Sequence, residues 1–258
     1  MTLPKLTDWD TTRTALHQAA QVVGAVRAAV ATPEPNWGHL GLRVVPEGLT
    51  TGVLSIGELI LDFRTLTILY NPTNQDQVGF ALAQHSQKSL ADAIENALTG
   101  SGRPTLLKRD KITGESICDI NAETAADYAR VLFLVYEIFR SFREGLPGEK
   151  SRLVVWPHGF DLSFLWFATE VLTEEAPHMA FGFSPYSAGL ERPYLYSYAH
   201  PVPDGLTDLE LPDRTNWHTQ GWTGTVTRYD VLVTEADPAT VIEAILRELF
   251  ARIAPLLR

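Results

Sequence analysis

Three stretches of this chain repeat apolar residues at helical spacing, and the segments between them do not. Leu16, Ala20, Val23, Arg27 and Val30 mark the first. Tyr128, Val131, Val135, Ile138, Phe139 and Phe142 mark the second, and Val241, Ile242, Ile245, Leu249 and Ile253 the third. Ile94 and Leu98 give a shorter helix its face. The intervening chain reads as short strands bounded by glycine and proline: residues 40–45, 60–63, 66–70, 78–82, 153–156, 160–167, 179–183, 194–198 and 223–229. Arg64-Thr65 reads as a hairpin turn. Runs of strands followed by helices, rather than strict strand–helix alternation, predict an α+β fold: a large, mostly antiparallel sheet with helices packed on it.

The helix ends carry their own signals. Thr7, Ser89 with Asp92, Asn121, and Asp237 followed by Pro238 are the expected starts. Thr32-Pro33-Glu34-Pro35, Gly100-Ser101-Gly102, and Gly145 with Pro147 are the expected stops.

A short internal similarity sets Leu42-Arg43-Val44-Val45-Pro46-Glu47-Gly48-Leu49 against Leu153-Val154-Val155-Trp156-Pro157-His158-Gly159-Phe160. Each copy follows a helix and precedes several strands and another helix. The chain, 1–258, therefore reads as one compact domain, and the pattern admits a pseudo-duplication with halves 1–115 and 116–258.

The balance of charge narrows the partners. A net charge of −10 with no lysine or arginine cluster argues against nucleic acid and against an anionic membrane. The longest dense apolar run, 131–135, is too short to span a bilayer, and the first residues lack a signal-peptide core. A cytoplasmic location is the expectation. The single cysteine, Cys118, excludes an internal disulfide and any CxxC motif. Nothing near it in sequence would lower its pKa. No nucleophile elbow, phosphate loop or dinucleotide fingerprint is present. Cofactor, metal and oligomeric state stay open.

Two segments carry candidate chemistry. The first is Trp156-Pro157-His158-Gly159-Phe160-Asp161, an imidazole and a carboxylate three residues apart amid large apolar side chains. His158 and Asp161 could act as a base with its orienting group or supply two metal ligands. A straight strand would put them on opposite faces, and they meet only if the turn kinks. The competing reading places His158 at an exposed turn. Strand alternation predicts Trp156 and Phe160 buried and His158 accessible. The second segment is Trp217-His218-Thr219-Gln220-Gly221-Trp222-Thr223-Gly224, read as a lid or ligand loop, or as an anchor of a loop on the core. His39, His178 and His200 complete a histidine set without metal-motif spacing. Tyr194, Tyr196 and Tyr198 share one strand face and, with Tyr186, form an aromatic patch. Glu174-Glu175 reads as solvated loop charge.

The blocks Gln21-Val22-Val23-Gly24, Asn36-Trp37-Gly38-His39, Gly48-Leu49-Thr50-Thr51, 153–162, Phe181-Gly182-Phe183-Ser184 and 217–224 occur in this order. In them the chain resembles a bacterial family of uncharacterised proteins, domain of unknown function 5996. The resemblance covers nearly the whole chain. Gly159 departs from it, standing where a second histidine is expected. The family supplies no activity or catalytic residues.

The leading expectation is a small-molecule pocket between the two halves. Trp156, Phe160, Trp217 and Trp222 would be its walls, and His39, His158 and His218 its polar groups. One alternative is a metal-assisted hydrolase using His158 and Asp161. The other is an interaction or oligomerisation module with an aromatic interface.

Overall fold

The structure is a computed structural model that describes residues 2–73 and 75–257. The fold is α+β, with two antiparallel sheets and several helices. The chain divides into two compact units that interleave in sequence. The amino-terminal unit comprises residues 6–133 and 154–160, and the carboxy-terminal unit residues 1–5, 134–153 and 161–258.

In the amino-terminal unit, α1 (Trp9–Val30) starts one residue later than a Thr7 cap suggests. Asp8 stands at its cap position in the left-handed region, without a side-chain capping bond. The expected strand start at Leu40 is instead the end of a 3-10 segment, Pro35–Leu40, kinked at Asn36 and Trp37, and Leu42 makes only an isolated bridge. Five strands follow: β1 (Arg43–Val45), β2 (Gly48–Thr50), β3 (Glu58–Asp62), β4 (Thr67–Asn71) and β5 (Val78–Ala81). They pair in sequence order as an antiparallel meander. The β3–β4 hairpin is tied by Asp62, whose carboxylate accepts the backbone N–H groups of Arg64 and Thr65 at 2.8 and 3.2 Å. Helix α2 (Gln87–Gly100) is capped by Ser86, which accepts the Ser89 N–H, so it begins a turn earlier than expected. Asn121 does cap α3 (Ala122–Gly145), accepting the Thr124 N–H at 3.0 Å.

The core of this unit is aromatic. Tyr128 of α3 packs on Trp9 at 4.6 Å between ring centroids, on Phe63 at 6.0 Å and on Phe160 at 5.8 Å. The short strand β6 (Val154–Trp156) joins the unit through the Leu42–Val155 bridge. The two segments aligned in the internal similarity are therefore partners in space. Gly24 of α1 lets the helix close on the turn after β6. A Cβ there would lie under 3.0 Å from Cβ and Cγ of Pro157.

The carboxy-terminal unit carries β7 (Asp161–Phe167), β8 (His178–Ser184), β9 (Tyr194–His200), β10 (Asn216–His218) and β11 (Gly224–Arg228). Within it the strand order is β10-β11-β9-β8-β7. A short helix, α4 (Tyr229–Leu232), precedes α5 (Pro238–Ile253), whose cap Asp237 accepts from Thr240. Register partners in an antiparallel sheet share a face. One face joins Phe164 to Phe181 and Leu162 to Phe183. It receives Phe142 of α3, 5.1 Å from Phe181 and 6.3 Å from Phe164, and Phe250 of α5, 4.9 Å from Trp166. All of these sheet aromatics are at most 2% exposed. The other face joins Ser163 to Gly182 to Tyr196 to Val226, and Leu165 to Ala180 to Tyr198. Among the described residues, no helix is long and apolar enough to cross a membrane.

Candidate functional site

The tyrosine face of the carboxy-terminal unit is where polar and aromatic groups converge. Strand β8, between β9 and β7, carries small residues there: Ala180, Gly182 and Ser184. Gly182 sits opposite Tyr196 in register. A Cβ on residue 182 would lie under 3.0 Å from Cζ, Cε1 and Oη of Tyr196. The phenol end therefore occupies the space a side chain would need, which is the reason for a glycine inside a strand. The ring crosses β8, and its hydroxyl donates to Asp161 Oδ2 on β7 at 2.6 Å. Burial, and then the Asp161 charge, push the Tyr196 phenol well above its ordinary pKa, against a smaller opposing hydrogen bond with Ser163. Tyr196 thus stays a neutral donor.

Tyr198 lies parallel to Tyr196 within 3°, centroids 6.3 Å apart. Burial, then the charges of Glu174 and Asp161, raise its pKa too. Trp222 is inclined at 72° to Tyr196, at 6.2 Å. It rests on Gly224, whose Cβ position would be 2.5 Å from the indole Cζ3. His218 lies 4.5 Å from Trp222, and its Nε2–H donates to the Gln220 carbonyl at 2.9 Å. Tyr196, Tyr198, His218 and Trp222 are all half-buried, whereas Tyr194 is buried and donates to Ser187 at 2.8 Å.

Segment 217–224 is thus a hairpin of β10 and β11, with register pairs Trp217–Thr225 and His218–Gly224, and not a free lid. Trp217 alternates away from His218, and its indole N–H donates to the Leu209 carbonyl at 3.2 Å. It anchors the long 202–216 connection, while His218 and Trp222 face the tyrosines.

The remaining expected residues lie in the amino-terminal unit. The 157–160 turn kinks at Phe160, which has φ 58° and whose N–H donates to the Trp156 carbonyl at 2.7 Å. Phe160 is 1% exposed and stacks on His17 at 5.4 Å, so it is core. His158 is exposed and Trp156 half-buried, 6.2 Å from the His158 ring. Trp156 is less buried than strand alternation suggests, because it ends a three-residue strand at the turn. His39 is buried, and its Nδ1 accepts the Glu34 N–H at 3.2 Å, a local brace of the 3-10 segment. His17 had no sequence signal. Its Nε2–H donates to the Pro157 carbonyl at 3.0 Å, and burial lowers its pKa. Cys118 donates to Gln18 Oε1 at 3.2 Å, and burial raises its thiol. The shallow cavity beside it, lined by Gln18, His85, Leu90 and Cys118 among others, measures about 20 Å³, room for one water.

In the carboxy-terminal unit His178 is buried and donates from Nδ1 to the Ala176 carbonyl at 2.8 Å, with the exposed His200 stacked on it at 5.2 Å. Among the described residues, no group of three or more His, Cys, Asp and Glu side chains is arranged to hold a metal ion.

No curated protein and no solved structure matches this chain. One family model does, over residues 2–258, and its description is a family of unknown function. A match over essentially the whole chain settles membership, and the protein belongs to the family of unknown function DUF5996.

Proposed function

We propose that this protein binds a small organic molecule on the tyrosine face of its carboxy-terminal unit. The observation that carries the reading is the Gly182–Tyr196–Asp161 arrangement. A glycine stands in a buried strand so that an aromatic ring can lie across it and donate a hydrogen bond to a carboxylate. A purely structural sheet face would more simply carry a β-branched residue at 182 and leave no half-buried phenols beside it. Here half-buried Tyr198, His218 and Trp222 surround the arrangement, an apolar wall with few and fixed polar groups. Of the residues expected from sequence, Asp161, His218 and Trp222 serve this reading. The protein is taken as cytoplasmic and as acting without nucleic acid, in keeping with the net charge of −10.

Screening a library of small aromatic and polar fragments by NMR tests the proposal. Amide shifts confined to β9, β11 and the 219–223 turn, lost in Trp222→Leu with the fold intact, are the expected result. Fragment binding that leaves these strands unperturbed would overturn it.

A further inference from the structure

We infer that the molecule taken by the tyrosine face carries a permanent positive charge, a quaternary ammonium group, seated in the corner between Tyr196 and Trp222. This deepens the proposed function and rests on the tyrosine face being the ligand surface. Two half-buried rings inclined at 72° with centroids 6.2 Å apart make a floor and a wall. A cation in such a corner can lie within about 6 Å of both ring centroids, the range over which a ring quadrupole attracts it. Tyr198, parallel to Tyr196 and 6.3 Å along the strand, extends the floor.

The charges beside the rings have the matching sign. Asp161 is held against the Tyr196 hydroxyl at 2.6 Å, and the field of Glu174 reaches Tyr198. Both are carboxylates, in a chain of net charge −10. An anionic ligand would be repelled, and a neutral one would make no use of them. The neutral state of Tyr196 matters as well. Asp161 accepts from its hydroxyl, which leans electron density into the ring and strengthens its negative face. A quaternary ammonium has no N–H to satisfy, and ring faces offer no strong acceptors. The corner therefore suits a charge spread over methyl groups better than a lysine-type ammonium.

The test compares choline chloride with its uncharged carbon isostere, dimethylbutanol, in which a tert-butyl group replaces the trimethylammonium. The full chain is titrated with each at constant ionic strength, and the β9 and β11 amide shifts are followed. Choline should bind about ten-fold more tightly than the isostere. Trp222→Leu should weaken both probes and remove most of the difference between them. Tyr198→Leu repeats the test from the floor, and if either variant misfolds, the wild-type comparison of the two probes decides. Equal affinity for both probes overturns the inference while leaving a ligand surface in place. So does binding of neutral fragments with no response to choline. Choline binding that survives intact in a folded Trp222→Leu places the cation elsewhere and also overturns it. No response at these strands to any probe overturns this inference and the proposed function together.

Discussion

Gly182→Ala puts the central arrangement of the tyrosine face to a quantitative test. A Cβ at 182 falls under 3.0 Å from three atoms of the Tyr196 phenol, closer than real contacts come, so the ring must move. Overpacking of this kind typically costs about 1–3 kcal/mol. Moving the phenol also breaks its 2.6 Å hydrogen bond to Asp161, worth about 1.5 kcal/mol for a half-buried carboxylate. Against this, alanine in a strand interior is favoured over glycine by about 0.5–1 kcal/mol. The net expectation is a loss of about 1.5–4 kcal/mol, read as a lower urea midpoint with an unchanged slope. A double-mutant cycle isolates the cause. In a Tyr196→Ala background the overlap and the hydrogen bond are both already gone, so Gly182→Ala should be neutral or slightly stabilising. A single-mutant loss below about 0.5 kcal/mol, or the same loss in both backgrounds, would refute the claim that 182 is glycine to admit the ring.

Three further outcomes are expected. Gly24→Ala should destabilise by about 1–3 kcal/mol although alanine is the better helix former, because its Cβ meets the ring of Pro157; a gain in the urea midpoint would contradict the packing. Burial lowers the His17 pKa, so the unfolded state binds the extra proton: stability is full above about pH 6.5 and falls as pH drops below it, and His17→Gln should flatten part of that slope in urea titrations across the range. Asn121→Ala should remove about 1 kcal/mol by freeing the Thr124 N–H at the start of α3, measured by the same unfolding midpoint.

Helical periodicity was the most legible layer. Tyr128, Val131, Val135, Phe139 and Phe142 recur at a spacing that only a helix can turn to one side, and each is at most 1% exposed, while Ile138, expected on the same face, is half-buried at its edge. Strand positions were legible where turn chemistry was local, as with Asp62 before Arg64-Thr65. Boundaries failed where a cap was supplied by a residue one turn away. Ser86 does at α2 what Ser89 was expected to do, since both are serines with helix to follow and only tertiary packing chooses between them. The 217–224 segment, read as a lid or as an anchoring loop, is a hairpin whose connection is residues 219–223. Only Gly221 has a positive φ there, at 84°, and Gly224 starts a strand under Trp222.

The candidate site was half legible for a reason that lies in sheet geometry. Period-two spacing puts Tyr194, Tyr196 and Tyr198 on one face from sequence alone. What a sequence cannot display is the residue opposite, because register couples positions separated by long loops. Asp161 was singled out for its nearness in sequence to His158, yet its carboxylate accepts from Tyr196, thirty-five positions away. Gly182 was the readable clue. A glycine between Phe181 and Phe183, in a run otherwise built to fill a core, marks a place where something else must come close. Asking what approaches it would have led to an aromatic on a neighbouring strand, and from its hydroxyl to a carboxylate one strand further on. The same question applies to Gly224, where a Cβ would lie 2.5 Å both from the indole Cζ3 of Trp222 and from the Ser197 carbonyl oxygen of the paired strand. Both glycines give up side chains of their own so that rings can lie against the backbone. At Gly182 the ring alone fills the space, so substituting it should disturb ligand binding before it disturbs the core face behind, whereas a side chain at 224 would also press on the backbone of the neighbouring strand.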